Sequence, residues 1–237
     1  MKFIDRMKAA FRNGDPGTGT EWWRALIAGV RGSAGVVVNN ETAQNYSPVF
    51  ACVSLAAETV STLPFGLYEK TANGRRERSD HPLYKVLHDQ ANPSMSAQTF
   101  REIMQWNCEL RGIALAQKIR NLNKQVVELW PINPDLISEY YVDSKTGKLF
   151  FKKTDGKIYS QEDVFYFYGP GANGIQPKSR ISLAAESLSV GMAAEEYGRR
   201  FFGSGTNIGG FVEHPQRLGD TAYRRLKADL EQKYKGL

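Results

Sequence analysis

An α+β fold is predicted by the order of patterns along this chain: helical periodicities occupy residues 48 to 110, and a run of short alternating segments follows between 113 and 168. Turn chemistry divides the second run, because Lys145-Thr146-Gly147 and Asp155-Gly156 are hairpin punctuation. Helices followed by antiparallel strands segregate into layers, unlike the alternating units of a parallel sheet. At 237 residues, with 41% hydrophobic and 24% charged, the chain can build a real core, as one large domain or two small ones.

The first 45 residues mix Gly, Asn, Thr and Ser with a basic amphipathic piece, in which Phe3, Met7, Ala10 and Phe11 interleave with Lys2, Arg6, Lys8 and Arg12. That periodicity ends at Gly14, so a flexible, loosely ordered arm over 1–45 is expected rather than a docking or membrane-surface helix. Trp22, Trp23, Leu26 and Ile27 are available to anchor part of it. From residue 46 the pattern is that of a core. Ser47 is placed to cap a helix over about 48–63, with Pro48 at its first position, and Val49, Val53, Ala56, Ala57, Val60 and Leu63 form its apolar stripe. Pro64 cannot continue that helix, so Phe65 to Lys70 reads as a strand, closed by an Asn73-Gly74 turn. Asp80 and Pro82 restart a helix over 82–89, and a third runs over 97–110. Strands are expected near 113–120, 125–129, 137–142, 148–153, 158–159 and 164–168. The last contains Phe165-Tyr166-Phe167-Tyr168, a candidate for stacking on nucleic-acid bases. No basic residue falls within it, so a buried strand is the expectation.

A different helix is predicted from Ile181 to Phe202. Leu183, Ser187, Val190, Ala194, Tyr197 and Phe201 recur at alternating four and three and mark one packing face. Ala184, Ala185, Ser189, Gly191, Ala193 and Gly198 lie beside it, small enough to let another helix approach closely, whether from the same chain or from a copy. Arg199 and Arg200 fill the last turn, where cations suit the helix dipole, and Gly203 can end it. Beyond lie a strand at Gly209 to Glu213, a loop to Gly219 and a helix from Asp220 or Thr221 to Lys235, with Leu226 and Leu230 on its apolar face and Arg224, Arg225 and Lys227 in its basic early part. One strand and one helix cannot cover their own apolar faces, so the chain is expected to stop inside a folding unit.

Cys52 and Cys108 lie in apolar helical contexts without metal-ligand spacing and read as buried free thiols. His81, His88 and His214 are scattered, which argues against zinc. The loop from Gly169 to Gly174 lacks the Lys-Ser/Thr ending of a phosphate loop and the spacing of a dinucleotide fingerprint. No nucleophile elbow is present, and paired acids such as Glu195-Glu196 fall on polar helical faces. Catalysis, cofactors and metals are therefore not expected. No apolar run is long enough to span a bilayer, and Met1 to Arg31 lacks the apolar segment and cleavage site of a signal peptide, so a cytosolic origin is expected. The net charge of +6 sits at the two ends: residues 1–40 hold six basic against three acidic, 41–140 ten against eleven, and 141–237 fifteen against eleven. Such a surplus is compatible with nucleic acid or an acidic partner, but a modest one is more often a solvated surface.

A series of phrases is more particular than any of these. They are the Cys52 helix ending in Leu63-Pro64, His81-Pro82-Leu83-Tyr84 followed by Leu87, Asn92-Pro93, Phe100-Arg101-Glu102, Gly112, Glu128-Leu129, and Pro131 with Pro134. They continue through Val164 to Tyr168, the GPGANGIQPKSRIS loop, and Glu195-Glu196-Tyr197 before Phe201-Phe202-Gly203-Ser204-Gly205. In this order they resemble the portal protein family of tailed double-stranded DNA phages, from about Tyr46 to the end. One departure is local: after Gly112 the family commonly has Asn-Ala-Tyr, where this chain has Ile113-Ala114-Leu115, which questions any polar contact made there. The other is length, since family chains continue further, and the resemblance therefore implies truncation at the C-terminus.

The resemblance implies a non-enzymatic subunit of a twelve-membered ring at one capsid vertex, through which genomic DNA is packaged and ejected. Residues 46–178 would be a wing-like α+β domain, 179–203 the first of two stem helices, and 204–237 the incomplete beginning of a clip domain. Ala184, Ser187, Gly191, Ala194 and Gly198 would pack stem against stem, and Arg199, Arg200, Arg217, Arg224 and Arg225 would lie in the clip or near DNA. Implied partners are further copies, the terminase large subunit, head-tail adaptors, the major capsid and scaffold proteins, and the double-stranded DNA in the channel, with no membrane. The implied location is the virion, with assembly in the host cytoplasm. The alternatives are a DNA-binding fragment of a phage or mobile-element enzyme and a non-catalytic virion adaptor.

Overall fold

The computed structural model describes residues 29–143, 146–169, 178–203 and 218–234. It divides into two compact units, the first ending at Ser189 and the second beginning at Val190. The expectations for residues 1–28, most of the loop after Gly169, and residues 204–217 with Arg217 lie outside the described residues.

The first unit is ordered from earlier in the chain than the sequence implied. Strands β1 (Val30–Arg31) and β2 (Val37–Val38) pair as a hairpin, and α1 (Asn40–Gln44) follows behind a capping box. In that box the Asn39 side chain accepts from the Thr42 N–H at 2.8 Å, and the Thr42 hydroxyl accepts from the Asn39 N–H at 2.9 Å. Val38 and Ala43 are fully buried, so residues 29–45 belong to the packed unit rather than to a loose arm.

Helix α2 (Ser47–Thr62) begins one residue sooner than its cap predicted. The Tyr46 N–H bonds to the Ala43 carbonyl and the Tyr46 carbonyl accepts from Val49 and Phe50, so Tyr46 is the N-cap and Ser47 is already helical. Val49, Val53, Ala57 and Ser61, one row at a spacing of four, turn inward. Cys52 is 100° round from that row and exposed, which corrects the expectation of a buried thiol, while Cys108 is buried as expected. Val60 and Leu63, read as part of the stripe, remain 37% and 56% exposed.

After Pro64 come β3 (Tyr68–Thr71) and β4 (Gly74–Glu77), an antiparallel hairpin. Asp80 does not cap the next helix, because Arg78 holds it through two bonds of 2.8 and 3.0 Å. His81 does so instead, its Nδ1 accepting from the Leu83 N–H. Helix α3 (Pro82–Tyr84) passes into a π-helical turn, Lys85–Asp89, then into β5 (Gln90–Asn92) and β6 (Met95–Ser96). Helix α4 (Ala97–Arg111) starts on Ser96, whose hydroxyl accepts from Thr99, and stops at Gly112 in the left-handed region.

The strands follow close to their expected places: β7 (Ile113–Arg120), β8 (Val126–Ile132), β9 (Ile137–Val142), β10 (Leu149–Lys153), β11 (Ile158–Ser160) and β12 (Val164–Tyr168). They form two antiparallel three-stranded sheets, β12-β7-β8 and β11-β10-β9. The pleat of β7 divides the core. Ala114 and Ala116 face α4, joining Phe100, Met104, Cys108 and Leu129, and their small side chains let the helix sit close to the sheet. Ile113 and Leu115 face the second sheet and pack with Ile137, Tyr140, Leu149, Phe151 and Val164. Helices, central sheet and outer sheet thus make three layers, with the apolar Ile113-Ala114-Leu115 at their centre, each fully buried.

Two tethers align the helical layer. The Arg101 guanidinium donates twice to the Ser61 carbonyl, at 2.8 and 3.2 Å, and once to that of Leu87 at 2.9 Å. The buried Asn92 side chain donates to the Leu129 carbonyl at 2.8 Å and accepts from the Ser94 N–H at 2.9 Å.

Candidate functional site

The helix predicted from Ile181 to Phe202 is two pieces, α5 (Arg180–Leu183) and α6 (Ala185–Gly203), with a break at Ala184, where φ is −98° and ψ 7°. Its base is fixed within the first unit. Ser179 caps α5, its hydroxyl accepting from the Ile181 N–H at 3.1 Å and donating to the Leu110 carbonyl. Arg180 pairs with Glu109, a buried carboxylate that also accepts from Gln105. Ile181, Ala185 and Ser189, again four apart, turn inward. Gly32 meets this face so closely that a Cβ there would fall 2.1 Å from the Ser189 hydroxyl, a buried group with no hydrogen-bond partner among the described residues. Glu186 accepts from the Ser33 N–H at 3.1 Å and from its hydroxyl, and these bonds hold its carboxyl below the ordinary glutamate range.

Much of the expected packing face is exposed. Leu183 and Ser187 are exposed in the first unit. In the second, Val190, Ala194, Tyr197 and Phe201 are exposed, with Tyr197 at 71% and Phe202 beside them at 76%. Tyr197 stacks on Phe201 with ring centroids 6.2 Å apart, and Phe201 meets Phe202 edge-on. Among the candidate small residues, Ala184, Ser187 and Ala194 are exposed and Gly191 and Gly198 half-buried. Ser187, Gly191, Ala194 and Gly198 repeat at four and three and share one face of α6.

Of the candidate basic residues, Arg199 and Arg200 both reach back to Glu196, Arg199 through Nε at 2.9 Å and Arg200 through Nε at 2.6 Å. Glu196 is held below its ordinary range by both arginines. The pair with its shared acid carries one net positive charge. Arg224 and Arg225 are exposed on α7 (Asp220–Tyr234).

Among the described residues no three His, Cys, Asp or Glu side chains gather as a metal site, and no helix is long and apolar enough to cross a membrane. Burial pushes the Cys108 thiol up to about 11, which makes it inert rather than nucleophilic. The contacts that sequence reasoning missed are Arg180 with Glu109, Ser33 with Glu186, and Gly32 against Ser189; only Ser179, a cap residue before an apolar run, left a readable signal.

Residues 47–237 match the family described as phage portal protein. The chain is 29% identical over 205 residues to the portal protein of Enterobacteria phage HK97, covering 84% of this chain and 48% of that one. It is 27% identical over 215 residues to a probable portal protein of Streptomyces phage phiC31, covering 84% and 46%. The chain therefore spans about half the length of the curated relatives it matches. Its fold is like that of an HK97-family phage portal protein from Corynebacterium diphtheriae, with a TM-score of 0.56, 14% identity, and coverage of 85% and 63%. It is also like a chain in the virion of a native gene transfer agent particle, with a TM-score of 0.54, 14% identity, and coverage of 96% and 60%.

Proposed function

The chain belongs to the phage portal protein family, and from that premise we propose that it is a subunit of the ring at one capsid vertex through which double-stranded DNA enters and leaves the head. Residues 46–178 serve as the wing, 179–203 as the first stem helix and 204–237 as the beginning of the clip. The ring has twelve copies, and its further partners are the terminase large subunit, the head-tail adaptors, and the capsid and scaffold proteins. The protein resides in the virion and assembles in the host cytoplasm. Its role is geometric, and nucleotide hydrolysis is left to the terminase.

The observation that carries this reading is the exposed face of α6. Leaving Val190, Tyr197 and Phe202 in water is unfavourable by roughly 25 cal/mol per Å² of apolar surface, and neighbouring copies of the same helix would cover them. The small residues Gly191, Ala194 and Gly198 permit the close approach that such crowding requires. A modest basic surplus also suits a conduit, since tight phosphate clamps would oppose sliding. The pairing of Arg199 and Arg200 with Glu196 tempers their charge in that sense.

Negative-stain imaging of protein purified from its complete reading frame tests this directly, with rings around a central pore expected. Gly191→Leu or Ala194→Leu should disrupt the rings by overpacking while leaving the wing folded. Discrete monomers that cut DNA would overturn the proposal in favour of a DNA-binding enzyme fragment.

A further inference from the structure

Strand β12 is the edge of the central sheet, pairing with β7 alone among the described strands. Two bonds fix the phase of that ladder, from the Lys118 N–H to the Asp163 carbonyl and from the Gly169 N–H to the Gly112 carbonyl, each 2.8 Å. Phe165 and Phe167, which lie between those positions at a spacing of two, therefore turn their backbone groups toward β7. Val164, Tyr166 and Tyr168 turn theirs away, and those outward groups bond to no described residue.

Proteins usually protect such an edge with charge, proline or a bulge. The opposite edge of this sheet has two of these devices, Glu128 and Pro131 in β8. Strand β12 reads Val-Phe-Tyr-Phe-Tyr, with no charge, no proline and an unbroken register. Beside it, on the helical face, lies a groove of about 290 Å³ lined by Val60, Leu63, Phe65, Met104, Phe165 and Phe167. Arg101 borders it, but its guanidinium is committed to the Ser61 and Leu87 carbonyls and does not call for an acid.

We propose that β12 and this groove form a strand-addition site for an extended, uncharged segment of a different protein, carrying apolar side chains at alternate positions. Antiparallel addition continues the order of the sheet. An added residue opposite Phe165 or Phe167 points its side chain into the groove and its N–H away from β12. Residues opposite Val164, Tyr166 and Tyr168 exchange backbone bonds with the edge and point to the other face. Main-chain bonds give affinity in this mode, and the alternate side chains give selectivity. Among the described strands a second copy is a poor source, because β3, β4, β7, β8, β9 and β10 carry charged side chains and β1, β2, β5, β6 and β11 are at most three residues long. Pairing β12 with β12 of a copy would close a two-fold dimer, a symmetry unlike that of a head-to-tail ring. That exclusion of a β12 pair rests on the proposed ring, and sedimentation tests it separately.

Fluorescence anisotropy with the full chain tests it, using the capped peptide Thr-Val-Thr-Phe-Thr with a dye on a Gly-Ser tail. Saturable binding is expected. N-methylation of the threonines, whose N–H groups meet β12, should weaken it at least tenfold, whereas N-methylation of Val and Phe should change it by less than twofold. Leu63→Asp, at a position already exposed to water, should also weaken it tenfold with an unchanged unfolding midpoint. The proposal fails if binding does not saturate, if the two methylation patterns act equally, or if sedimentation shows a dimer of the chain that the peptide displaces and Leu63→Asp abolishes.

Discussion

Replacing Gly112 by alanine probes the junction at which the helical layer, the central sheet and α5 meet. Gly112 has φ +76°, and its N–H bonds to the Cys108 carbonyl at 2.8 Å to finish α4. Its own carbonyl accepts from Gly169 just beyond β12. A Cβ on Gly112 would lie 2.5 Å from both the carbonyl carbon and the oxygen of Lys178, backbone atoms that cannot rotate away. Placing an L-residue in the left-handed region costs roughly 1–2 kcal/mol, and forcing an atom into filled space typically adds about 1–3 kcal/mol. Gly112→Ala is therefore expected to destabilise the first unit by about 3–4 kcal/mol. Gly156 supplies the control: its φ is +86°, yet nothing lies within 4 Å of its Cβ position, so Gly156→Ala should cost only the backbone part, about 1–2 kcal/mol. Urea unfolding followed by the fluorescence of Trp106 and Trp130 measures both. If the two variants lose stability within about 0.5 kcal/mol of each other, the close approach of Lys178 does not support the fold and the reasoning fails.

The Tyr140 and Tyr168 hydroxyls bond at 2.7 Å in a buried setting that raises both phenols well above their ordinary range. Tyr140→Phe should cost about 1–2 kcal/mol by stranding the Tyr168 hydroxyl, whereas the double variant Tyr140→Phe/Tyr168→Phe should cost less than the sum of the two single variants in a double-mutant cycle. With its thiol pushed up to about 11 and its side chain buried, Cys108 should resist iodoacetamide at pH 8, while exposed Cys52 reacts; mass spectrometry of the native protein should find one adduct, and two after unfolding. The Glu186 carboxyl is held low by Ser33, so this tie is present above the ordinary glutamate range and lost as pH falls through the folded value. The Ser33 amide resonance should shift as Glu186 protonates at that low pH, and Glu186→Gln should abolish the transition.

The sequence by itself determined the elements and where they stop. Periodicity, Pro64, Ser96 and Gly112 act within a few residues of their own positions, so the helices and the six strands from 113 onward lie within a few residues of their predicted bounds. The ordered phrases from the Cys52 helix to Pro134 were also legible, and the family match over 47–237 agrees with them. What only tertiary structure decided are matters of competition between distant groups. Asp80 had the chemistry of a cap, but Arg78 holds it and His81 took the role. Cys52 sat in apolar surroundings, yet the inward row of α2 passes through Val53, one helical step away. Residues 29–45 read as a polar arm because the burial of Val38 and Ala43 has no local periodicity, and Gly32 gave no sign that it would meet Ser189. The exposed edge of β12 was hidden for the same reason: an aromatic strand has one sequence whether its outer edge is paired or bare, and only the pairing of the sheet tells the two apart.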